Sequence, residues 1–447
     1  MRNKFLTIIT LFLMFAGCVE PFDVLPGISE ANNLEGLLIV EANISNVEKR
    51  QQVLLSRLRA VESDSTVNVA EDRLFNATSA FVIQNGLAPD FETGATVLVM
   101  DNQGRTFAFE ESEPGTYEST VPFAAQANTS YQVTITTSDG MEYQSDEKEL
   151  PQEAVLDRVY AERTINSNGV EGVSIRTDAS FPNMSGRLLR YSFEETYKII
   201  APNWTAFEFE TIRDQQDTDQ FGNILYPDVQ LVPRTREERV CYNTDFSTSE
   251  VLVNGGMVAG NTIQGNQIRF IGRNNPIISH RYSILVRQFS VSAESFEFYE
   301  TLSAFSQNES VFSQIQPGRV EGNVSNVNGD NEVIGYFDVS SEVSQRFYFN
   351  YEDFFPGEPL PPYFGTVSCD RLISPILENP ERDGPYPPPP FACPEGLISQ
   401  WEKGLIEFFD VNGGPDLCEG PYFVTFTICG DCNVVGSNIV PEFWTEG

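Results

Sequence analysis

The chain has 447 residues and a formal net charge of −36, and its hydrophobic fraction of 40% includes 34 Phe and 16 Tyr. This length is enough for two or three domains with sizeable cores. The acidity argues against a nucleic-acid partner, because proteins that bind nucleic acid need basic patches. Solubility in an exposed compartment explains the charge more simply than recruitment of cations or of a basic partner, and both interpretations stay open.

The N-terminus is predicted to be a bacterial lipoprotein signal peptide that covers residues 1–17. Arg2 and Lys4 form a positive region, and the apolar run that follows is too short for a bilayer core of ~30 Å. A small Ala-Gly pair then precedes Cys18. We expect Cys18 to be lipidated and to anchor the mature protein in the outer membrane. The face is periplasmic or cell-surface, and two acids close after Cys18 favour the surface.

The next segments are a predicted tether over residues 18–33 and a predicted β-domain over residues 34–151. The tether contains Pro and Gly, which interrupt regular structure. In the β-domain, stretches centred on Gly104 and Gly140 each have the pattern of a hairpin. Short strands with regular turn signals predict an immunoglobulin-like β-sandwich here.

A larger β-rich domain with a few short helices is predicted over residues 152–447. Residues 188–200 and 281–291 are strand candidates because they are rich in β-branched and aromatic side chains. A helix is predicted directly after Ser292, whose hydroxyl can cap it, because apolar residues then recur at helical spacing. A second short helix is predicted over residues 398–409.

The segment 350–447 is expected to be stapled by disulfide bonds, since six cysteines follow Cys18 and an extracytoplasmic compartment is oxidising. Fifteen pairings of six cysteines are open. The CxxC pair at 429–432 also permits redox chemistry or zinc binding, but it lacks the context of either site. The disulfide candidates are Cys241, Cys369, Cys393, Cys418, Cys429 and Cys432.

An aromatic-rich stretch covers residues 346–364. Its alternating part predicts that Phe347, Phe349 and Tyr351 face a core. Four further aromatic residues are flanked by Pro and Gly, and they are better candidates for an exposed patch that contacts a ligand or partner. These four are Phe354, Phe355, Tyr363 and Phe364.

No catalytic residue is predicted, and we do not expect an enzyme. His280 is the single histidine, so a Ser-His-Asp or Cys-His mechanism would have to use it. The adjacent acids Glu194 and Glu195 could be proposed as a glycosidase pair. Chance pairs are expected among 64 acidic residues, however.

No metal site or cofactor is predicted either. Three oxygen-rich loops, at 217–222, 326–332 and 410–416, keep Ca²⁺ as a weak alternative. None of them has the EF-hand spacing, and ordinary turns explain all three.

Several longer stretches together resemble one family. They are CVEPFD at the lipidation site, FEETY at 193–197, VCYNT at 240–244, RYSILVRQFSVSAESFEFYETL from Arg281, QPGRVEGNVSNVNGDNEVIGYFDVS from Gln316, and CGDCNVVGSNIVPEFW near the end. Over essentially the whole mature chain the sequence resembles the Bacteroidota lipoproteins of domain-of-unknown-function family 4249. The resemblance implies an outer-membrane lipoprotein, often encoded beside a TonB-dependent transporter, and it brings no catalytic residues.

The family-like strand from Arg281 also has a structural interpretation. Arg281 and Arg287 are six residues apart and therefore lie on one face of a strand. In so acidic a chain, we expect them to pair with Glu194 or Glu195.

The leading hypothesis is a lipid-anchored accessory or binding protein of the outer membrane that works with a TonB-dependent transporter in nutrient uptake. One alternative is a structural or adhesion lipoprotein at the surface. A second alternative is a surface hydrolase that uses a carboxylate pair.

Overall fold

A computed structural model describes residues 36–60, 87–182, 187–212, 228–258, 260–307, 322–329, 333–365, 368–377, 396–416 and 419–446. The protein is mainly β, as predicted. The chain divides into two compact units, the first with residues 1–152 and 291–341 and the second with residues 153–290 and 342–447. The division after residue 152 adjoins the predicted domain boundary, whereas the return of 291–341 to the first unit was not foreseen.

The elements are numbered in chain order. The strands are β1 (Leu38–Ser45), β2 (Gln52–Ala60), β3 (Leu87–Phe91), β4 (Thr96–Asp101), β5 (Thr106–Glu113), β6 (Thr116–Ser119), β7 (Ser130–Thr136), β8 (Glu142–Ser145), β9 (Lys148–Glu149), β10 (Val155–Ile165), β11 (Glu171–Ser180), β12 (Leu188–Ile200), β13 (Phe207–Ile212), β14 (Asp228–Pro233), β15 (Val240–Phe246), β16 (Val251–Asn254), β17 (Thr262–Gly272), β18 (Arg281–Ser290), β19 (Val324–Asn326), β20 (Val333–Asn350), β21 (Ile406–Val411) and β22 (Tyr422–Phe426). The helices are α1 (Ala293–Gln307), α2 (Tyr351–Phe354), α3 (Leu397–Glu402) and α4 (Thr427–Gly430), with 3₁₀ turns at Gly255–Met257, Pro276–Ile278 and Cys432–Val434.

The first unit is a sandwich-like arrangement of strands around one core. Its strands are hydrogen-bonded in the order β20–β1–β2–β6–β5–β4–β7–β8–β19, with β3 beside β2 and β9 beside β7. Both predicted hairpins are present, as β4–β5 and β7–β8. Alternate side chains point inward, so that Val97 and Val99 on β4 and Val133 and Ile135 on β7 are fully buried.

The parallel pairing of β1 with β20 requires a glycine. Gly335 lies opposite Val40, and a Cβ atom at Gly335 would be only 2.6 Å from the Val40 Cβ. Close to this contact, the Asn323 side-chain amide bonds to both main-chain groups of Phe337, as a neighbouring strand would. Its Oδ1 accepts the Phe337 N–H at 2.7 Å, and its Nδ2 donates to the Phe337 carbonyl at 2.8 Å. These contacts fix the part of β20 that belongs to the first unit.

Helix α1 begins where the sequence predicted. The Ser292 hydroxyl accepts the N–H of Ser295 at 3.1 Å, and Glu294 lies in the first turn, where a negative charge is favourable. The Phe298 ring packs 4.9 Å from the ring of Tyr336. The helix is thereby held against β20 of the first unit.

Among its described strands, the second unit contains one group paired around β12 and three small separate sheets. Strand β12 pairs with β15, β16 and β18, while β10, β11 and β17 form a separate three-stranded sheet. The β13–β14 and β21–β22 hairpins are each two-stranded. The predicted helix over 398–409 is only half correct. It ends at Glu402, because Gly404 adopts the left-handed conformation at φ +67°, and β21 follows.

Candidate binding site

A groove of about 560 Å³ lies beside the β13–β14 hairpin of the second unit. Its lining combines a stretch of strand with two carboxylates and an indole ring. The lining residues are Glu208, Phe209, Glu210 and Thr211 of β13, Val232 of β14 and Trp401 of α3.

The ring of Phe209 holds Trp401 beside β13, where both residues line the groove. Its side chain is 3% exposed and meets the rings of Trp401, Phe408 and Tyr422 edge-on, at centroid separations of 6.2, 5.6 and 5.3 Å. The alternation of FEFETI along β13 turns Phe209 toward this aromatic cluster and its two glutamate neighbours toward the opposite face. The half-buried indole of Trp401 is therefore held beside the strand by aromatic packing.

One edge of β13 has no partner strand within the described part of the chain. Among the described strands β13 pairs only with β14. The Arg234 N–H donates to the Ala206 carbonyl at 2.9 Å, and hydrogen-bonded positions alternate along an antiparallel pair. Pro233 accordingly occupies a position without such a bond. In this register the N–H and C=O groups of Phe209 and Thr211 face away from β14, toward the open edge.

The groove is anionic. The Gln230 amide donates to Glu210 Oε2 at 2.6 Å. The Glu208 carboxylate makes no hydrogen bond or ion pair with any residue in the described part of the chain, and no Lys or Arg is among the described lining residues. A cation beside the outer face of β13 would meet the carboxylates of Glu208 and Glu210, which attract positive charge. The arrangement therefore suits a positively charged ligand.

Four of the six predicted disulfide cysteines form two bonds in the second unit. Cys241 bonds to Cys432 and Cys369 to Cys429, each with Cα atoms 5.6 Å apart. The two cysteines of the CxxC pair are therefore bonded to partners 191 and 60 residues away and not to each other. This confirms disulfide stapling for these four residues, and the bonded state leaves neither CxxC thiol free for redox chemistry or zinc.

Three further predicted site residues lie outside the described residues. They are Cys18 at the lipidation site, and Cys393 and Cys418 of the C-terminal segment. Lipidation of Cys18 and bonding of the other two stay predictions.

The predicted exposed aromatic patch is wrong for Phe355. Phe355 is 0% exposed and belongs to the core of the second unit. The guanidinium groups of Arg163 and Arg273 cover its ring at 4.6 and 5.6 Å, and the Tyr351 ring packs against it at 4.9 Å. The flanking Pro and Gly residues suggested exposure, but these long-range contacts bury the ring.

The other members of that set are half-buried. Phe354, Tyr363 and Phe364 pack against the same core, and the Phe364 ring stacks on Tyr197 at 5.8 Å. The structure thus brings the four aromatics together as part of a core and not as a free surface. Contact of these three with a ligand or partner stays a prediction.

Glu194 and Glu195 do not form a catalytic pair. As successive residues of β12 they point to opposite faces. Glu195 is 4% exposed and accepts hydrogen bonds from Arg269 at 3.0 and 3.2 Å and from the Tyr282 hydroxyl at 2.6 Å. The two carboxylates therefore do not face each other across a cleft, as a glycosidase requires.

Glu194 has its own arginine partners. Its carboxylate accepts from Arg287 at 3.0 Å and from Arg346 at 2.8 Å. The predicted pairing of Arg287 with one of the two glutamates is confirmed. Arg281 is different, since it donates to Asn350 at 3.3 Å and covers an aromatic ring of β20.

The remaining candidates for chemistry have ordinary environments. His280 lies directly before β18, and burial lowers the pKa of its imidazole, with a smaller contribution from Lys198. In the described ranges, no three or more His, Cys, Asp and Glu side chains are grouped so as to hold a metal ion. Loop 217–222 lies outside the described residues. Whether the protein is an enzyme stays a prediction.

Sequence reasoning missed the groove. The alternating FEFETI of β13 was the available signal for a half-buried strand, and Trp401 lay within a predicted helix. Neither stretch indicates that the other lies beside it, because β13 and α3 are almost 200 residues apart in the chain.

Within the described part of the chain, none of the helices has the length and apolar character needed to cross a bilayer.

Comparison with known proteins places the chain in a family. The comparison with curated proteins found no match. The family model described as "Domain of unknown function (DUF4249)" matches residues 23–346, which is well over half of the chain. The chain therefore belongs to the DUF4249 family.

Proposed function

We propose that the protein is a lipid-anchored binding protein of the outer membrane that works beside a TonB-dependent transporter in nutrient uptake. The lipoprotein signal that ends at Cys18 supports the location, and the resemblance to Bacteroidota lipoproteins supports the transporter partner. The acidic, mainly β body supplies the binding surface.

The groove beside β13 carries the binding role. Proteins usually block exposed strand edges, because free N–H and C=O groups recruit other chains. Here the edge of β13 has no partner among the described strands, and it lies next to a half-buried indole and to Glu208, which makes no ion pair within the same residues. By contrast, the acids first considered for hydrolysis are held by arginines. These features favour binding over catalysis.

Membrane fractionation tests the anchor. Wild-type protein and Cys18→Ser are expressed in the native host, and membranes are washed with carbonate. We expect the wild type to sediment with the outer membrane and the variant to be released. If Cys18→Ser still sediments after the wash, lipid anchoring is wrong.

Co-purification tests the partner. A C-terminally tagged protein is extracted from outer membranes in mild detergent, and the proteins that accompany it are identified by mass spectrometry. A stoichiometric TonB-dependent barrel is expected. Recovery of the protein alone at several salt concentrations would contradict the transporter role and favour a structural or adhesion lipoprotein.

A further inference from the structure

We propose that the open edge of β13 docks an extended basic segment of a partner protein, which joins the β13–β14 hairpin as a third strand. This site deepens the binding role proposed above and rests on it. The occupant is defined by its chemistry, as a chain in extended conformation that alternates basic and apolar side chains.

The main chain of β13 provides the first half of the argument. Phe209 and Thr211 direct two N–H and two C=O groups toward the open edge, as the register with β14 requires. An extended chain lying ~4.8 Å from β13 could pair with all four groups. Such pairing gives affinity but does not distinguish one sequence from another.

The side chains provide the selectivity. Side chains of neighbouring strands lie opposite one another with Cβ atoms about 4.5–5.5 Å apart. Guest residues on the outer face would therefore lie beside Glu208 and Glu210, where Lys or Arg is favourable. Guest residues on the inner face would meet Trp401, which favours an apolar side chain.

The two glutamates disfavour an acidic guest segment. An acidic segment would bring like charges next to the two glutamates, which is destabilising in cross-strand pairs. A neutral saccharide could stack on the indole, but it would leave the strand edge without a matching row of donors and acceptors. The combination of open edge and anionic groove therefore points to a basic peptide.

Calorimetric titration of purified Cys18→Ser protein tests the site. The probe is an acetylated and amidated eight-residue peptide of alternating Val and Lys, and the comparison peptide alternates Val and Glu. We expect the Lys peptide to bind at least tenfold more tightly than the Glu peptide. Equal binding of the two peptides, or no binding of either, would overturn the proposal.

Two variants separate strand addition from general attraction to an acidic protein. Thr211→Pro removes one outward N–H and leaves the bonds to β14 in place, because Thr211 occupies a position that makes none. It should weaken binding of the Lys peptide about tenfold. The double variant Glu208→Gln with Glu210→Gln removes the local charge, should weaken binding severalfold, and does not alter the backbone.

A control variant shows how far a change in net charge away from the groove affects binding of the Lys peptide. Glu113→Gln removes one exposed carboxylate from the first unit, far along the chain from β13, and should leave the affinity unchanged. If both groove variants bind the Lys peptide as Glu113→Gln does, the docking site is wrong. If an oligosaccharide panel binds through Trp401 while the peptide does not, the groove is a sugar site and the proposal is equally wrong.

These results are independent of the transporter test. A barrel that co-purifies with the wild-type protein, while the Lys peptide does not bind, would leave the proposed function standing and would refute docking at β13. Peptide binding without any co-purifying barrel would support docking at β13 and would contradict the transporter role.

Discussion

Replacing Phe355 by Ala tests directly whether this ring is part of a core or part of an exposed patch. The side chain is 0% exposed, and two guanidinium groups and a tyrosine ring surround it. Truncation of a buried Phe to Ala typically costs about 3–5 kcal/mol, because apolar burial is lost and a cavity remains. Truncation of an exposed Phe would cost only about 0.5 kcal/mol or less, so the two interpretations differ widely.

Urea unfolding followed by tryptophan fluorescence measures the loss. All three tryptophans, Trp204, Trp401 and Trp444, belong to the second unit, which also contains Phe355, so the signal reports on that unit alone. With a urea m-value of about 3 kcal/mol per M, the expected loss lowers the midpoint by about 1–1.7 M. The measurement is made without reductant, so that the disulfide bonds stay closed.

Leu360→Ala is the matched control, since Leu360 lies nearby in the chain and is 50% exposed. A surface substitution of this kind should change stability by about 0.5 kcal/mol or less. Equal midpoint shifts for Phe355→Ala and Leu360→Ala would refute the burial of Phe355 and restore the exposed patch.

Three further predictions concern charge, a buried amide and a disulfide. Burial by itself would raise the pKa of Glu194, but hydrogen bonds from Arg346 and a second arginine outweigh it and hold the pKa below the usual value. The ionised form of Glu194 therefore stabilises the fold fully above the unfolded pKa of ~4.3, and this contribution is lost as the pH falls through the folded pKa. The difference in urea midpoint between wild type and Glu194→Gln should accordingly narrow from pH 6 toward pH 3. A difference that stays constant over this range would contradict the predicted role of the ion pairs. The side chain of Gln51 is fully buried and bonds to four main-chain groups at 2.7–3.4 Å, so Gln51→Ala should destabilise the first unit by about 1–3 kcal/mol and speed hydrogen exchange of β1 and β2. Cys432→Ser should leave Cys241 as a free thiol that is alkylated under denaturing conditions, and should lower the stability of the second unit by about 2–5 kcal/mol. A native peptide cross-linked between residues 429 and 432 would show that this pairing is wrong.

Local sequence patterns predicted much of the secondary structure. The run 188–200 is strand β12 over its full length, and the hydroxyl of Ser292 caps α1 as expected. These features depend on neighbours within a few residues, which is why pattern and capping chemistry identify them. The helix predicted over 398–409 failed at Gly404, where a left-handed glycine ends the helix and the apolar residues that follow continue as a strand.

The candidate site depended on contacts between residues distant in sequence. No local signal shows that Trp401 lies beside β13, or that the edge of this strand lacks a partner among the described strands. The same holds for Phe355, whose Pro and Gly neighbours suggested a surface loop although Arg163 and Arg273 cover its ring.

By itself, the sequence determined the mainly β class, the helix that Ser292 caps, the excess of negative charge and the expectation of disulfide bonds, because composition and short-range periodicity encode these properties. Only the tertiary structure decided that the CxxC cysteines bond to separate partners and that Glu194 and Glu195 face apart with arginines of their own. It also decided that the acidic strand β13 has a single partner, β14, among the described strands. The physical reason is that pairing, burial and edge exposure arise from chain segments that meet only when the sheets have formed.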